Sequence, residues 1–334
     1  MRVLPTLHQW LEHNLSTLDA IIFDIDGVLQ VKGSAARGSR RLIEMLRRKN
    51  FPFYLLTNDG DHSTEEKADV LNNSGLCVSP DEIVSCADGL AGLFGSLEQQ
   101  YPDGSSEKKD ASDNGHALMG TTNNESPIVT DTSRDFHINR YSKQFLHKLS
   151  DTPFFIMGCL GTPCFAQKAG LKTTRNLQKI DICQGIIVGE RNYDWEKTIN
   201  AAVNFFIRYP EAPLIVPNPD EYYPGQNGQL CIGAGGVAGF MVQILKSYGI
   251  TIEPLYLGKP FSPIFKKTHE LLEKKYGKTI PLDRILMVGD YINSDIKGAK
   301  DFGCRSAIVL TGVTTIEMLQ KSEIIPDMVF EILG

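Results

Sequence analysis

The chain alternates short apolar runs with stretches in which apolar positions recur every three or four residues. Residues 20–23 (Ala-Ile-Ile-Phe) form a continuous apolar run, the pattern of a central parallel strand covered on both faces. From Ser39 to Asn50, Leu42, Ile43 and Leu46 fall on one helical face, with basic residues near the end. Residues 53–56 predict a second strand. Ser63 then opens another helix, with Glu66 three residues on to complete a capping box and Gly75 to stop it. The last part of the chain repeats this grammar. Residues 255–257 read as a strand leading into Gly258-Lys259-Pro260. Ser262 reads as a helix cap, Pro263 suits the first helical position, and Ile264, Phe265, Thr268, Leu271 and Leu272 follow at helical spacing up to Gly277. Residues 285–288 and 307–310 predict two more strands, with a helix between them that stops near Gly303. Such alternation predicts an α/β fold built on a doubly wound parallel sheet.

The middle of the chain has the same rhythm, with strands expected at 154–157, 185–188 and 214–216 and a helix from Trp195 to Arg208. That is enough for a second α/β domain. Residues 99–135 differ in kind: they are rich in Ser, Asp, Asn, Gly and Thr, and too poor in apolar side chains to offset the entropy of ordering. They predict a flexible surface insertion with no part in the chemistry. The expected organisation is therefore a core from residues 1–77 and 250–334, interrupted by an inserted α/β domain at 78–249. Met1 to Leu15 contains His8, Glu12 and His13 and lacks the apolar centre of a signal peptide, so it reads as a lead-in helix.

Composition narrows the function. With 334 residues, 42% of them apolar, the chain can bury one large core or two moderate ones. A net charge of −6 argues against a nucleic-acid partner, and no run reaches the roughly 18 to 20 apolar residues of a membrane span. The seven cysteines are scattered and never spaced as CxxC, which fits reduced thiols in the cytoplasm. The histidines form no metal-binding cluster, so zinc chemistry is not expected.

Four of the predicted strand ends carry polar chemistry. Asp24-x-Asp26 closes the first strand, Thr57-Asn58 the second, Lys259-Pro260 follows residues 255–257, and Gly289-Asp290, with Asp295 beyond it, closes the strand at 285–288. Ligands of open α/β sheets bind at that edge. Asp24, Asp290 and Asp295 against Lys259 leave two negative charges, which a divalent cation would cancel, and oxygen ligands of this kind favour Mg²⁺. Such a loaded site would admit a phosphate, so the set points to metal-assisted phosphoryl transfer with a carboxylate nucleophile. The glycine-rich stretch Gly233-Ala234-Gly235-Gly236-Val237-Ala238-Gly239 invites a dinucleotide reading. Its late position and the lack of an acidic residue at ribose-binding spacing favour close helix packing instead.

The four motifs, in this order, resemble those of the haloacid dehalogenase superfamily. The stretches Val188 to Trp195, Asn218-Pro219-Asp220 and Gly233-Ala234-Gly235 resemble the large α/β cap of its subclass IIA, the NagD, p-nitrophenyl phosphatase and phosphoglycolate phosphatase types. The resemblance covers most of the chain except about residues 97–150. It implies a Rossmann-like core with an inserted cap, and a Mg²⁺-dependent phosphatase of small phosphomonoesters such as nucleoside monophosphates and sugar or small acid phosphates. By the same resemblance Asp24 would be the nucleophile and Asp26 the general acid and base. Thr57, Asn58 and Lys259 would bind the phosphoryl group. Asp24, Asp26 (through its carbonyl) and Asp290 would hold the metal, with Asp295 behind them. Glu190, Asn218 and Asp220 of the cap either face the substrate or hold cap loops together. Asp59 departs from the family pattern, where a neutral residue is commoner, and could weaken phosphate binding unless it points away. A phosphomutase and a catalytically retired binding or scaffold protein are the competing readings. The expected partner is a small phosphorylated metabolite, with homo-oligomerisation left open.

Overall fold

The computed structural model describes residues 3–91, 152–225 and 229–334. The insertion expected at 99–135 lies outside the described residues. A seven-stranded, all-parallel sheet runs in the order Val3–Thr6, Met328–Ile332, Arg305–Val309, Ile285–Gly289, Ala20–Asp24, Phe53–Thr57, Ile83–Ser85. Three adjacent interior strands, Ile285–Gly289, Ala20–Asp24 and Phe53–Thr57, are buried at every position, as continuous apolar runs require. One face is covered by the helices Leu7–Asn14, Ser39–Arg48 and Thr64–Asn73 through Leu11, Leu42, Leu46 and Leu71. The opposite face is covered by Ser262–Tyr276 and Lys297–Phe302 through Ile264, Phe265, Leu272 and Ala299. Helices on both faces of a parallel sheet make the doubly wound fold.

A second sheet, also parallel, runs Leu255–Tyr256, Leu214–Val216, Ile186–Val188, Phe154–Met157, Thr173–Thr174. Helices Asn200–Arg208 and Ala234–Ser247 pack on one of its faces through Ala202, Phe205, Phe206, Val237 and Met241. Gly235 opens the second of these helices where a Cβ would fall on the carbonyl of Pro219. The glycine-rich stretch therefore serves close packing of a helix against the Asn218-Pro219-Asp220 loop.

Local signals were followed closely. Ser63 accepts from the amide of Glu66, whose carboxylate accepts from the amide of Ser63 in return, and Gly277 and Gly303 end their helices in the left-handed region. Two boundaries differ from expectation. Ile83–Ser85 pairs with Phe53–Thr57 and so extends the seven-stranded sheet beyond residue 77, while Leu255–Tyr256 pairs with Leu214–Val216 in the second sheet. An apolar triplet shows that a strand exists but not which sheet supplies its neighbour. For the same reason the N-terminal lead-in is a strand before it is a helix: Val3–Thr6 pairs with Met328–Ile332, at the other end of the chain.

Candidate active site

Register brings the polar strand ends together. Phe23 stands opposite Val288 on one side and Leu55 on the other, and Asp24 opposite Leu56. Thr57-Asn58 and Gly289-Asp290 therefore flank Asp24 at the carboxyl edge of the sheet. Lys259 arrives from the connection between the two sheets. Its Nζ donates to Asp24 Oδ1 at 2.5 Å and to Asp295 Oδ1 at 2.7 Å. Burial pushes this ammonium toward neutrality, but the charges of Asp24 and Asp295 outweigh it and hold the group well above the ordinary lysine range.

Asp24, Asp290 and Asp295 are buried, and one carboxylate oxygen of each lies within 4.8 Å of the others. Burial drives the Asp24 carboxyl well above the ordinary carboxylate range, with Lys259 opposing. Burial, and then the charge of Asp295, push Asp290 up to about 7. Carboxylates so crowded are relieved by a cation, and an all-oxygen donor set suits a hard one such as Mg²⁺. Asp295 is already committed: Oδ1 holds Lys259, and Oδ2 accepts the amides of Asp290 at 3.1 Å and Tyr291 at 3.0 Å. It orients its neighbours, while Asp24 and Asp290 keep oxygens to offer. The fit to a divalent cation is thus carried by the residues present.

Asp26 lines the same cavity with a largely exposed side chain, and its Oδ2 accepts from Lys67 Nζ at 2.6 Å. Lys67 is only 7% exposed and also donates to Asp59 at 2.8 Å. Asp59 in turn accepts from His62 Nδ1 at 2.9 Å. Burial alone would raise the Asp59 carboxyl, but His62 and Lys67 hold it below its ordinary range. The charge that departs from the family pattern is therefore neutralised by its own neighbours. Thr57 Oγ1 accepts the amide of Asp59 at 3.0 Å, which leaves its hydroxyl proton to donate into the cavity. Asn58 is a clip: its Oδ1 accepts the Lys259 amide at 2.9 Å, and its Nδ2 donates to the Lys259 carbonyl at 2.9 Å and to Asp220 at 3.1 Å.

The second sheet closes the site from across a cavity of about 560 Å³. Glu190 and Asn218 follow Ile186–Val188 and Leu214–Val216 and join each other, Asn218 Nδ2 donating to Glu190 at 2.7 Å; Asn218 Oδ1 accepts the Asp220 amide at 2.8 Å. All three line the cavity as well as tying loops together. Burial pushes Glu190 up to about 7 and Asp220 up to about 6. Sequence reasoning missed Lys67, His62, Asp61, Arg191, Tyr222, Tyr223 and Tyr291, which also line the cavity. Only Lys67 had a signal, one turn into the capped helix that follows Thr57-Asn58.

Families described as haloacid dehalogenase-like hydrolase and HAD-hydrolase-like match residues 21–104 and 256–334. The acid sugar phosphatase of Staphylococcus saprophyticus is 24% identical over 94% of this chain and 95% of its own length. Among solved structures, 4-nitrophenylphosphatase from Thermotoga maritima superposes with a TM-score of 0.67 at 22% identity, covering 96% of this chain and 97% of its own. A glycerol phosphate phosphatase from Mycobacterium tuberculosis, in complex with magnesium, gives 0.65 at 18% identity, covering 99% and 78%. Residues 21–104 and 256–334, the two stretches that hold Asp24 to Asn58 and Lys259 to Asp295, thus match models of haloacid dehalogenase-like hydrolases. The likeness to the two solved structures is one of fold.

Proposed function

We propose that this phosphoric monoester hydrolase is a Mg²⁺-dependent phosphatase of small phosphomonoesters that works through an aspartyl-phosphate on Asp24. The observation that carries the reading is the buried convergence of Asp24, Lys259, Asp290 and Asp295 at one sheet edge. Asp24 attacks phosphorus, the new bond forming as the bond to the ester oxygen breaks. Asp26 gives that oxygen a proton, then takes one from the water that cleaves the phosphoenzyme and frees Asp24. Lys259 balances charge on the transferring group and holds Asp24 in place, and Thr57 donates to a phosphoryl oxygen. Lys67 tethers Asp26 on the leaving-group side. Asp24, the Asp26 carbonyl and Asp290 would hold the magnesium ion, which supplies charge neutralisation at a phosphate oxygen.

The second sheet is read as the cap (residues 78–249, less the strand Ile83–Ser85 and with Leu255–Tyr256 added), closing over the phosphoenzyme and excluding bulk water. Seven unpaired cysteines support a reducing, cytoplasmic setting. The test is phosphate release from p-nitrophenyl phosphate. Turnover should require Mg²⁺ and vanish in Asp24→Asn; activity indifferent to both would refute the mechanism.

A further inference from the structure

The cations that line the cavity are each answered by a carboxylate. Lys259 lies between Asp24 and Asp295, Lys67 between Asp26 and Asp59, His62 against Asp59, and Arg191 against Asp61. Beyond the place of the phosphate, no cation lining the cavity among the described residues is left to receive a second anion.

Glu190 and Asp220 are in the opposite condition. Glu190 is joined by the Asn218 amide and the Ala234 backbone amide, and Asp220 by the Asn58 amide, all neutral donors. Among the described residues neither makes an ion pair, although the charge of Lys259 reaches Asp220. Both line the cavity from loops that follow strands of the second sheet, whereas Asp24 ends a strand of the first, so a leaving group directed away from Asp24 would meet them. Tyr222 and Tyr223 line the cavity close behind Asp220 in the chain, and Tyr291, next to Asp290, lines it from the larger sheet's edge. The wall is rich in acceptors and carries two carboxylates that no described residue matches with an ion pair.

We infer that this wall, through Glu190 and Asp220, selects leaving groups that present hydrogen-bond donors, hydroxyls or an ammonium, and rejects those that carry a second anionic group. The inference rests on the phosphatase reading above and narrows its substrate class. A donor satisfies the buried carboxylates, whereas a carboxylate beside them meets like charge in a poorly solvated place. Burial already disfavours charge on both groups, so a third negative charge there finds little solvent to screen it.

The test is kcat/KM with Mg²⁺ at about pH 8, above the values of both carboxyls, so that both are ionised. The panel is p-nitrophenyl phosphate, glycerol 3-phosphate, phosphoethanolamine and 2-phosphoglycolate. Glycerol 3-phosphate and phosphoethanolamine should exceed 2-phosphoglycolate by roughly tenfold or more. Glu190→Gln and Asp220→Asn should each shift that ratio several-fold toward 2-phosphoglycolate. Wild-type enzyme that turns over p-nitrophenyl phosphate yet prefers 2-phosphoglycolate overturns the inference and leaves the phosphatase reading standing. A ratio unmoved by both substitutions overturns the assignment to Glu190 and Asp220. Should a variant fail to fold, the wild-type ratio still decides. Failure to cleave p-nitrophenyl phosphate under any metal condition would instead strike the phosphatase reading, and the inference with it.

Discussion

Glu190 holds a carboxyl that burial lifts from 4.5 to about 7. The folded chain therefore keeps a proton there that the unfolded chain releases, and between those values folding takes up protons. Its contribution to stability is complete below about pH 4.5 and is lost as pH rises through about 7. Glu190→Gln keeps an acceptor for Asn218 without the ionisation. It should match wild type near pH 5 and exceed it by about 1–3 kcal/mol at pH 8, as read from denaturant melts. An equal difference at both pH values would contradict this. The same scale shows what the sequence could reveal. Asp24, Asp26, Thr57 and Asp290 lie at or within two residues of an apolar strand's end, and adjacency alone exposed them. Lys67 reaches Asp26 from 41 residues away, and Arg191 reaches Asp61 in the other domain, and no local pattern records such partners.

At the scale of elements, the connection after Arg305–Val309 shapes the cluster from behind. A Cβ on Gly312 would fall on the Asp290 carboxylate, which also accepts the amide of Val313 at 2.6 Å. Gly312→Ala must therefore displace Asp290. It should lower kcat/KM by roughly tenfold or more and raise the Mg²⁺ concentration needed, with the circular dichroism spectrum retained. Unchanged metal dependence would show that Asp290 does not act as proposed. Elements themselves were largely legible, because buried parallel strands read as apolar runs and helix ends carry their own caps. Membership of a sheet was not. Val3–Thr6, Ile83–Ser85 and Leu255–Tyr256 are short, and each takes its place from a neighbour distant in sequence.

Over the whole molecule, two parallel sheets face one cavity, and chemistry and selection divide between them. The larger sheet supplies the acidic edge, the connection between the sheets the buried lysine, and the loops after the smaller sheet's strands the acceptors Glu190, Asn218 and Asp220. Arg191 to Asp61 and Lys168 to Glu65 are ion pairs across the two domains, the latter largely exposed and so worth little on its own. The central claim is that Asp24 takes the phosphoryl group. Rapid acid quench of enzyme turning over p-nitrophenyl phosphate with Mg²⁺, followed by peptide mass spectrometry, tests it most directly. A phosphoryl group on the peptide at Asp24, absent without Mg²⁺ and absent in Asp24→Asn, is the predicted result; phosphate release with that peptide unmodified, and a label at another residue, would contradict it.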